Sequence, residues 1–226
     1  QWREIILASF LNGTLWHIFS AFGIRLLGGG QASIIAYTMP LWAVVFSIVF
    51  LGERATLARI MGLVVGMSGL SVLLSGELGV MKSAPVGTIF MLIAAVAWGA
   101  GTVVQKKVKW QMSAFSCVFW QFLLGGLPIT VVAVILDSPD WQPVSIAATC
   151  STIFVVTVPI ILCWFAWFRV IDMVPVSIST VCTLLVPILG VASSNMVLGE
   201  VIGWREVFSL ILICIALAFV LIPIGT

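Results

Sequence analysis

The sequence predicts an all-α fold: a polytopic membrane protein with an inverted five-helix repeat, eight spans being visible as three plus five. Three observations predict it. The chain is 62% hydrophobic and 8% charged, with a mean hydropathy of +1.27. A soluble domain carries about 25% charged residues, so this supply cannot build a water-facing surface. The apolar residues also fall into eight runs, each near the ~20 residues that one bilayer crossing needs. Finally, PLWAVVFSIVFLGE at 40–53 is echoed by PILGVASSNMVLGE at 187–200, with Pro, Leu, Gly and Glu each repeated 147 positions later.

The runs lie near 3–27, 31–51, 57–76, 85–105, 114–136, 145–170, 175–198 and 204–223. Between them stand GGGQ, GERAT, GELGVMKSAP, KKVKWQMS, DSPDWQP, IDMVP and GEVIG. Each break supplies charge or turn formers. Pro85 and Pro175 suit a first helical turn, where a missing N–H costs little. Thr56 suits an N-cap. Trp2, Trp110, Trp141 and Trp204 flank spans and read as anchors at the membrane–water interface.

Short connections make neighbouring spans antiparallel. With Gln1 on the cytoplasmic side, that side holds Arg3, Arg54, Arg59, Lys106, Lys107, Lys109 and Arg169, and the other holds Arg25, Lys82 and Arg205. Seven basic residues against three favour this orientation. The loop with Asp137 and Asp140 then falls outside. No basic run serves nucleic acid. Cys117, Cys150, Cys163, Cys182 and Cys214 show no metal-ligand spacing and read as small buried hydrophobes. The sequence offers no metal site and no cofactor motif.

The repeated Pro…Leu-Gly-Glu stretch falls on the second and seventh spans, five steps apart. A five-helix unit inverts its second copy, an architecture of secondary transporters. Residues 1–80 then form the last three helices of the first repeat, and 81–226 the complete second repeat. The second unit opens near Pro85, and its counterpart 147 positions earlier falls ahead of Gln1. The repeat therefore expects two further helices upstream.

Specific stretches resemble a known family. QASIIAYTMPLWAVVFSIVFLGERATLARIMGLVVGMSGLSVLL resembles the end of the first repeat of the drug/metabolite transporter superfamily, EamA-type permeases. VSISTVCTLLVPILGVASSNMVLGEVIGWREVFSLILICIALAFVLIP is similar to the matching end of the second. GTIFMLIAAVAWGAGTVVQKK, with Trp98 and Gly99, is similar to the opening helix of a repeat. The resemblance implies ten helices in all and a substrate cavity between the halves. Here that cavity falls to spans 3–27, 31–51, 85–105, 145–170 and 175–198.

Polar and aromatic groups at mid-depth on those spans are the substrate-binding candidates, since polar groups inside lipid are costly. They are Asn12, Trp16, His17, Tyr37, Trp98, Trp164 and Trp167. On an α-helix Asn12, Trp16 and Ser20 share one face. His17 is the only histidine; it either meets substrate or a transported proton, or bonds a neighbouring helix. It stands 147 positions before Trp164. Pro40 and Pro187 read as kinks or hinges whose freed carbonyls can face the cavity. The tryptophans can wall the cavity with ring faces, or simply pack. Glu53 and Glu200 read as gate carboxylates, or as charges near the N-terminus of the following helix, with Arg54 and Arg205 as partners. Gly62, Gly66 and Gly69 permit close helix approach, within the chain or in a homodimer.

The function expected is a permease moving a small metabolite, an amino acid or a related compound, by alternating access in the export direction. Its setting is the bilayer of a bacterial plasma (inner) membrane. The alternatives are an intramembrane enzyme or a non-transporting scaffold. The enzyme lacks HExxH, GxSxG and paired mid-membrane aspartates, and the scaffold would not need an inverted repeat. The topology is open to a direct check. In a background without the native cysteines, single cysteines at positions 54 and 107 are expected to label from the cytoplasm. Those at 140 and 203 are expected to label from outside, and labelling of 107 and 140 from one side would break the model.

Overall fold

Eight helices lie among the described residues of the computed structural model, which are 1–27, 32, 35–54, 56–73, 75, 85–137, 145–187, 189, 196 and 203–221. They are α1 (Trp2–Leu27), α2 (Met39–Leu51), α3 (Leu57–Leu73), α4 (Pro85–Lys107), α5 (Ala114–Asp137), α6 (Ile146–Met173), α7 (Val176–Cys182) and α8 (Trp204–Leu221). Each falls on an apolar run of the sequence. α1, α4, α5 and α6 are long and apolar enough to cross a membrane, and the others are shorter apolar helices. Glu200, Asp140, Trp141, Lys82 and the boundary at 80/81 lie outside the described residues.

Two of the long helices are not α-helical throughout. Ser9–Leu15 in α1 and Val156–Cys163 in α6 are π-helical. A π turn carries one extra residue, so residues four apart across it no longer stack. Asn12, inside the π turn, therefore does not share the simple face expected of it with Trp16 and Ser20, which stay in register on the α-helical part. In α6 the cause is Pro159, which lacks an N–H and crowds the carbonyl four residues back.

Pro40 differs from expectation as well. It sits in the first turn of α2 rather than inside a longer helix. The chain turns at Tyr37–Thr38, where the Thr38 N–H and hydroxyl both donate to the Ile35 carbonyl, at 3.0 and 2.7 Å. A similar break precedes Pro187 at Thr183–Leu184, where the Thr183 N–H and hydroxyl donate to the Thr180 carbonyl at 3.2 and 2.6 Å. Each threonine hydroxyl thus adds a second donor to a carbonyl that already accepts the backbone N–H at the break.

α4 is the hub, packing on α1, α2, α6 and α7. Small residues let it do so. A Cβ on Gly87 would stand 2.9 Å from Leu26, and one on Gly99 2.8 Å from the Ala43 backbone. α3 and α8 also form an extensive pair, with the Ser209 hydroxyl donating to the Gly69 carbonyl at 2.8 Å. Gly66 and Gly69 are thus used within the chain, against Leu184 and α8. Of the cysteines only Cys117 is buried, while Cys150, Cys163 and Cys214 are exposed and Cys182 is half-buried. The expectation of buried cysteines is corrected on physical grounds: in lipid an apolar side chain needs no protein cover.

α1 and α5 cross at Gly13 and Gly125. A Cβ on Gly125 would stand 2.8 Å from the Gly13 Cα and 2.8 Å from the Ser9 carbonyl, whereas one on Gly126 meets no described atom within 4 Å. Gly125→Ala is expected to destabilise the protein by about 1–3 kcal/mol, because backbone cannot move aside cheaply. Gly126→Ala is expected to be neutral or to stabilise by up to about 1 kcal/mol through helix propensity. Thermal unfolding in detergent reads both, and equal effects would refute the crossing.

Candidate substrate-binding site

Four of the candidate tryptophans converge. Trp98 on α4 is buried and packs with Ala43, Val103 and Val176, and Trp16, Trp164 and Trp167 close around this group. Trp98 and Trp167 stack at 5.3 Å between centroids with a 30° tilt. Trp164 takes Phe122 and Phe168 edge-on, at 5.4 and 5.7 Å. Trp16 and Trp164 each follow directly on a π-helical stretch, which sets the direction in which they leave their helices. The result is an aromatic wall built from α1, α4 and α6. The indole N–H of Trp167 is buried without a partner among the described residues, so the wall holds a free donor; that of Trp42 on α2, whose ring neighbours Phe46, is likewise buried and unpartnered.

Beside the wall lies a set of amides that the sequence reading largely missed. Asn12 is buried with neither amide atom bonded among the described residues. Its side chain lies on Gly101, where a Cβ would overlap it. Gln121 on α5 donates to the Gln105 Oε1 on α4 at 2.8 Å, which leaves its own Oε1 unpartnered. The Thr102 hydroxyl is also buried and unpartnered. A glutamine inside the apolar run 114–136 and another at the end of 85–105 were the available signal. Gln121 was passed over because its span is not among the cavity helices that the resemblance implies.

The remaining candidates lie apart. His17 Nδ1 is 2.7 Å from the Gly13 carbonyl, and the ring meets Phe122 edge-on at 6.0 Å. With Arg25, Ile129 and Val132 it lines a groove of about 450 Å³ between α1 and α5. The structure therefore does not bring His17 to the tryptophans. Tyr37 packs on the apolar cluster of Val44, Leu63, Leu70, Val181, Leu184 and Ile213. Pro40 is buried and Pro187 half-buried, each just beyond a helix break.

One end of the bundle is pinned by charge. Glu53 accepts from the Val176 N–H at 2.8 Å, the Ser177 N–H at 3.3 Å and the Ser177 hydroxyl at 2.7 Å. It therefore caps α7, which is distant in sequence, and not the next helix. Its ion pair is with Arg59 at 3.7 Å rather than with Arg54. Lys106 holds the other side of the same connection, donating to the carbonyls of Ile171, Asp172 and Val174 at 2.6, 3.1 and 3.1 Å. The α6 C-terminus thus receives a cation and the α7 N-terminus an anion, as their dipoles favour.

A multi-pass membrane protein, all-α, with broken and π-bulged helices around an aromatic wall, is the class that this fold and site define. The chain belongs to the EamA-like transporter family, whose profile matches residues 1–75 and 85–222. The uncharacterized transporters YoaV and YvbV of Bacillus subtilis (strain 168) are each 25% identical. YoaV aligns over 94% of this chain and 73% of its own length, and YvbV over 97% and 72%. A Salmonella typhimurium protein named "Probable amino-acid metabolite efflux pump" is 26% identical over 81% of this chain and 64% of its own. A solved crystal structure, 20% identical, matches 97% of this chain and 76% of that one with a TM-score of 0.84, which speaks to the fold. The family and these relatives are transporters, not enzymes.

The pinned end carries its own expectation. Glu53→Ala leaves two α7 N–H groups without an acceptor and should cost about 2–3 kcal/mol, the usual loss for a hydrogen-bonded charge. Arg59→Ala, which removes only a long ion pair, should cost no more than about 1 kcal/mol. Thermal unfolding of both variants in detergent checks the order, and a larger loss for Arg59→Ala would overturn it.

Proposed function

We propose that this transporter carries a small zwitterionic or aromatic metabolite, an amino acid or a close relative, outward across a bacterial plasma membrane by alternating access. The observation that supports this most is the convergence of Trp16, Trp98, Trp164 and Trp167 from three helices. Ring faces suit a flat or cationic group, and the unpartnered indole donor of Trp167 suits a carboxylate. Among the described residues no charged side chain stands in the wall, which disfavours phosphorylated substrates. The name carried by the Salmonella relative agrees with an amino-acid metabolite as cargo.

The two matched segments support a reading as two inverted repeats, 1–80 and 81–226. So does the start of the π turns at Ser9 and Val156, which are 147 positions apart, as are Pro40 and Pro187. Each repeat then brings one broken helix and one π-bulged helix to the site. Glu53 and Lys106 hold the closed end, and opening there requires that they release the α6–α7 connection. Glu200, in the repeat-equivalent position to Glu53, is proposed for the same duty at the opposite end.

Counterflow in liposomes of the purified protein tests this, with a panel of amino acids and related metabolites. Trp98→Ala and Trp167→Ala are expected to lower flux at least tenfold at equal incorporation, about 1.4 kcal/mol of lost binding or barrier lowering. His17→Ala, on the α5 side, is expected to lower it about threefold or less with an unchanged pH profile. Loss of pH dependence in that variant would put His17 on the translocation route. Undiminished flux in both tryptophan variants would remove the wall from the mechanism.

A further inference from the structure

We infer that the polar cavity where α4 and α6 end and α5 begins binds the phosphate group of an anionic phospholipid. The cavity measures about 410 Å³, and Gln105, Lys109, Ser113, Arg169 and Asp172 line it together with Lys106 and Trp110. Gln1 stands beside it, bonding the Lys109 carbonyl and the Gln111 N–H at 3.4 and 3.3 Å. The cavity therefore lies at the end of α1 remote from Arg25. It shares no residue with the tryptophan wall, so the inference stands whatever the transporter carries.

The charges are unbalanced. Lys106, Lys109 and Arg169 face one carboxylate, Asp172, which leaves a net charge of +2. Lys106 is already engaged, since its Nζ donates to three carbonyls of the α6–α7 connection. Lys109 and Arg169 are exposed, and neither side chain makes an ion pair or hydrogen bond among the described residues. Two free cations thus stand against the one carboxylate.

The neutral groups add donors. Gln105 is 1% exposed, and its Oε1 accepts from Gln121 Nε2 at 2.8 Å. Its own Nε2 has no acceptor among the described residues. Trp110 holds the wall in place, donating from Nε1 to the Gln105 carbonyl at 2.9 Å. Ser113 caps α5 by accepting from the Ser116 N–H at 3.1 Å. The N–H groups of Ala114 and Phe115 in the same turn have no acceptor among the described residues, and such a helix start favours an anion. A guanidinium, an ammonium and neutral N–H groups suit a phosphate, whose oxygens accept from each of them.

The surroundings select a lipid as the source. α4, α5 and α6 are long and apolar enough to cross a membrane, so their ends lie near its boundary with water. Phe115, Val170 and Met173, each next in the chain to a residue lining the cavity or its connection, are exposed. A phospholipid with its headgroup in the cavity lays its acyl chains beside them. Basic pockets between membrane helices hold anionic headgroups in this way. Phosphatidylcholine offers the same phosphodiester but brings a trimethylammonium to a cavity that is already positive. Phosphatidylglycerol brings no cation.

The test titrates the full chain, in a neutral non-ionic detergent, with phosphatidylglycerol and phosphatidylcholine of identical acyl chains, and reads bound lipid by native mass spectrometry. The wild type is expected to bind phosphatidylglycerol at least tenfold tighter, as two interfacial cations allow. Lys109→Ala with Arg169→Ala should bring the ratio to within about twofold of unity. Arg25→Ala, at the other end of α1, should leave it unchanged. Asp172→Asn removes the opposing charge and should tighten phosphatidylglycerol binding about threefold, a gain that misfolding cannot mimic and that decides if the double variant does not fold. Equal binding of the two lipids by the wild type overturns the inference. So does a preference that survives the double variant, that Arg25→Ala removes as well, or that Asp172→Asn weakens. A second arm adds inorganic phosphate against chloride at equal ionic strength and follows thermal unfolding. Stabilisation by phosphate without any lipid preference assigns the cavity to a soluble anion and overturns the lipid source.

Discussion

The rest of the structure depends on how closely α4 can be approached. Lipid supplies no hydrophobic drive between helices, so association rests on van der Waals contact and on hydrogen bonds between them. α4 meets that requirement with small residues on several faces. Gly87 admits α1, Gly99 admits the Trp42–Ala43 backbone of α2, and Gly101 admits the Asn12 amide. Between these contacts Ala94 and Ala95 are fully buried. Because α4 is gripped from so many sides, its large side chains are fixed. Trp98 can only face Trp167, Gln105 can only meet Gln121, and Lys106 is delivered to the end of α6.

The second constraint is the backbone itself. Every carbonyl and N–H exposed by a helix end or break must find a partner inside the protein. The α6–α7 connection meets it with charges from elsewhere in the chain, Lys106 on the carbonyl side and Glu53 on the N–H side. The breaks near Pro40 and Pro187 meet it with Thr38 and Thr183. These are different solutions to one problem. A threonine repairs a break from within and leaves it free to bend. A charge reaching across from another helix ties two elements together and must let go before they can part.

Both constraints explain what the sequence made legible. Hydropathy placed all eight described helices, because the bilayer dictates length and composition directly. The Gly66 and Gly69 spacing announced a close contact and left its partner open. The tryptophans were picked out as polar-tipped aromatics on the spans that the resemblance implied, and four of them do meet. What stayed hidden depends on register and on distant partners. A π turn shifts every side chain beyond it, so Asn12 does not share with Trp16 the face that a regular α-helix would give it. Glu53 sits one residue from Arg54, yet its acceptor atoms serve Val176 and Ser177, more than a hundred positions away. Nothing local in a helix end reveals which remote N–H groups will be brought to it. Gln121 is hidden for a related reason: it lies on a span outside the cavity helices that the resemblance implies, and its partner Gln105 is on another helix.

The irregular segments and the candidate site coincide, and the coincidence has a mechanical sense. A continuous α-helix transmits displacement along its length, because each turn is locked to the next by its hydrogen bonds. α1 and α6 lose that regularity at their π turns, and the first of the tryptophan walls on each helix, Trp16 and Trp164, begins where the regular ladder resumes. α2 begins after a break and brings Ala43 to Trp98. On the alternating-access reading, the half of each helix beyond its irregularity can therefore tilt without dragging the other half. The wall would open on one side while the packing of α4 against α1 holds on the other. On that reading the tryptophan cluster would be one of two packings of the same side chains, with the π turns as the places where the backbone gives.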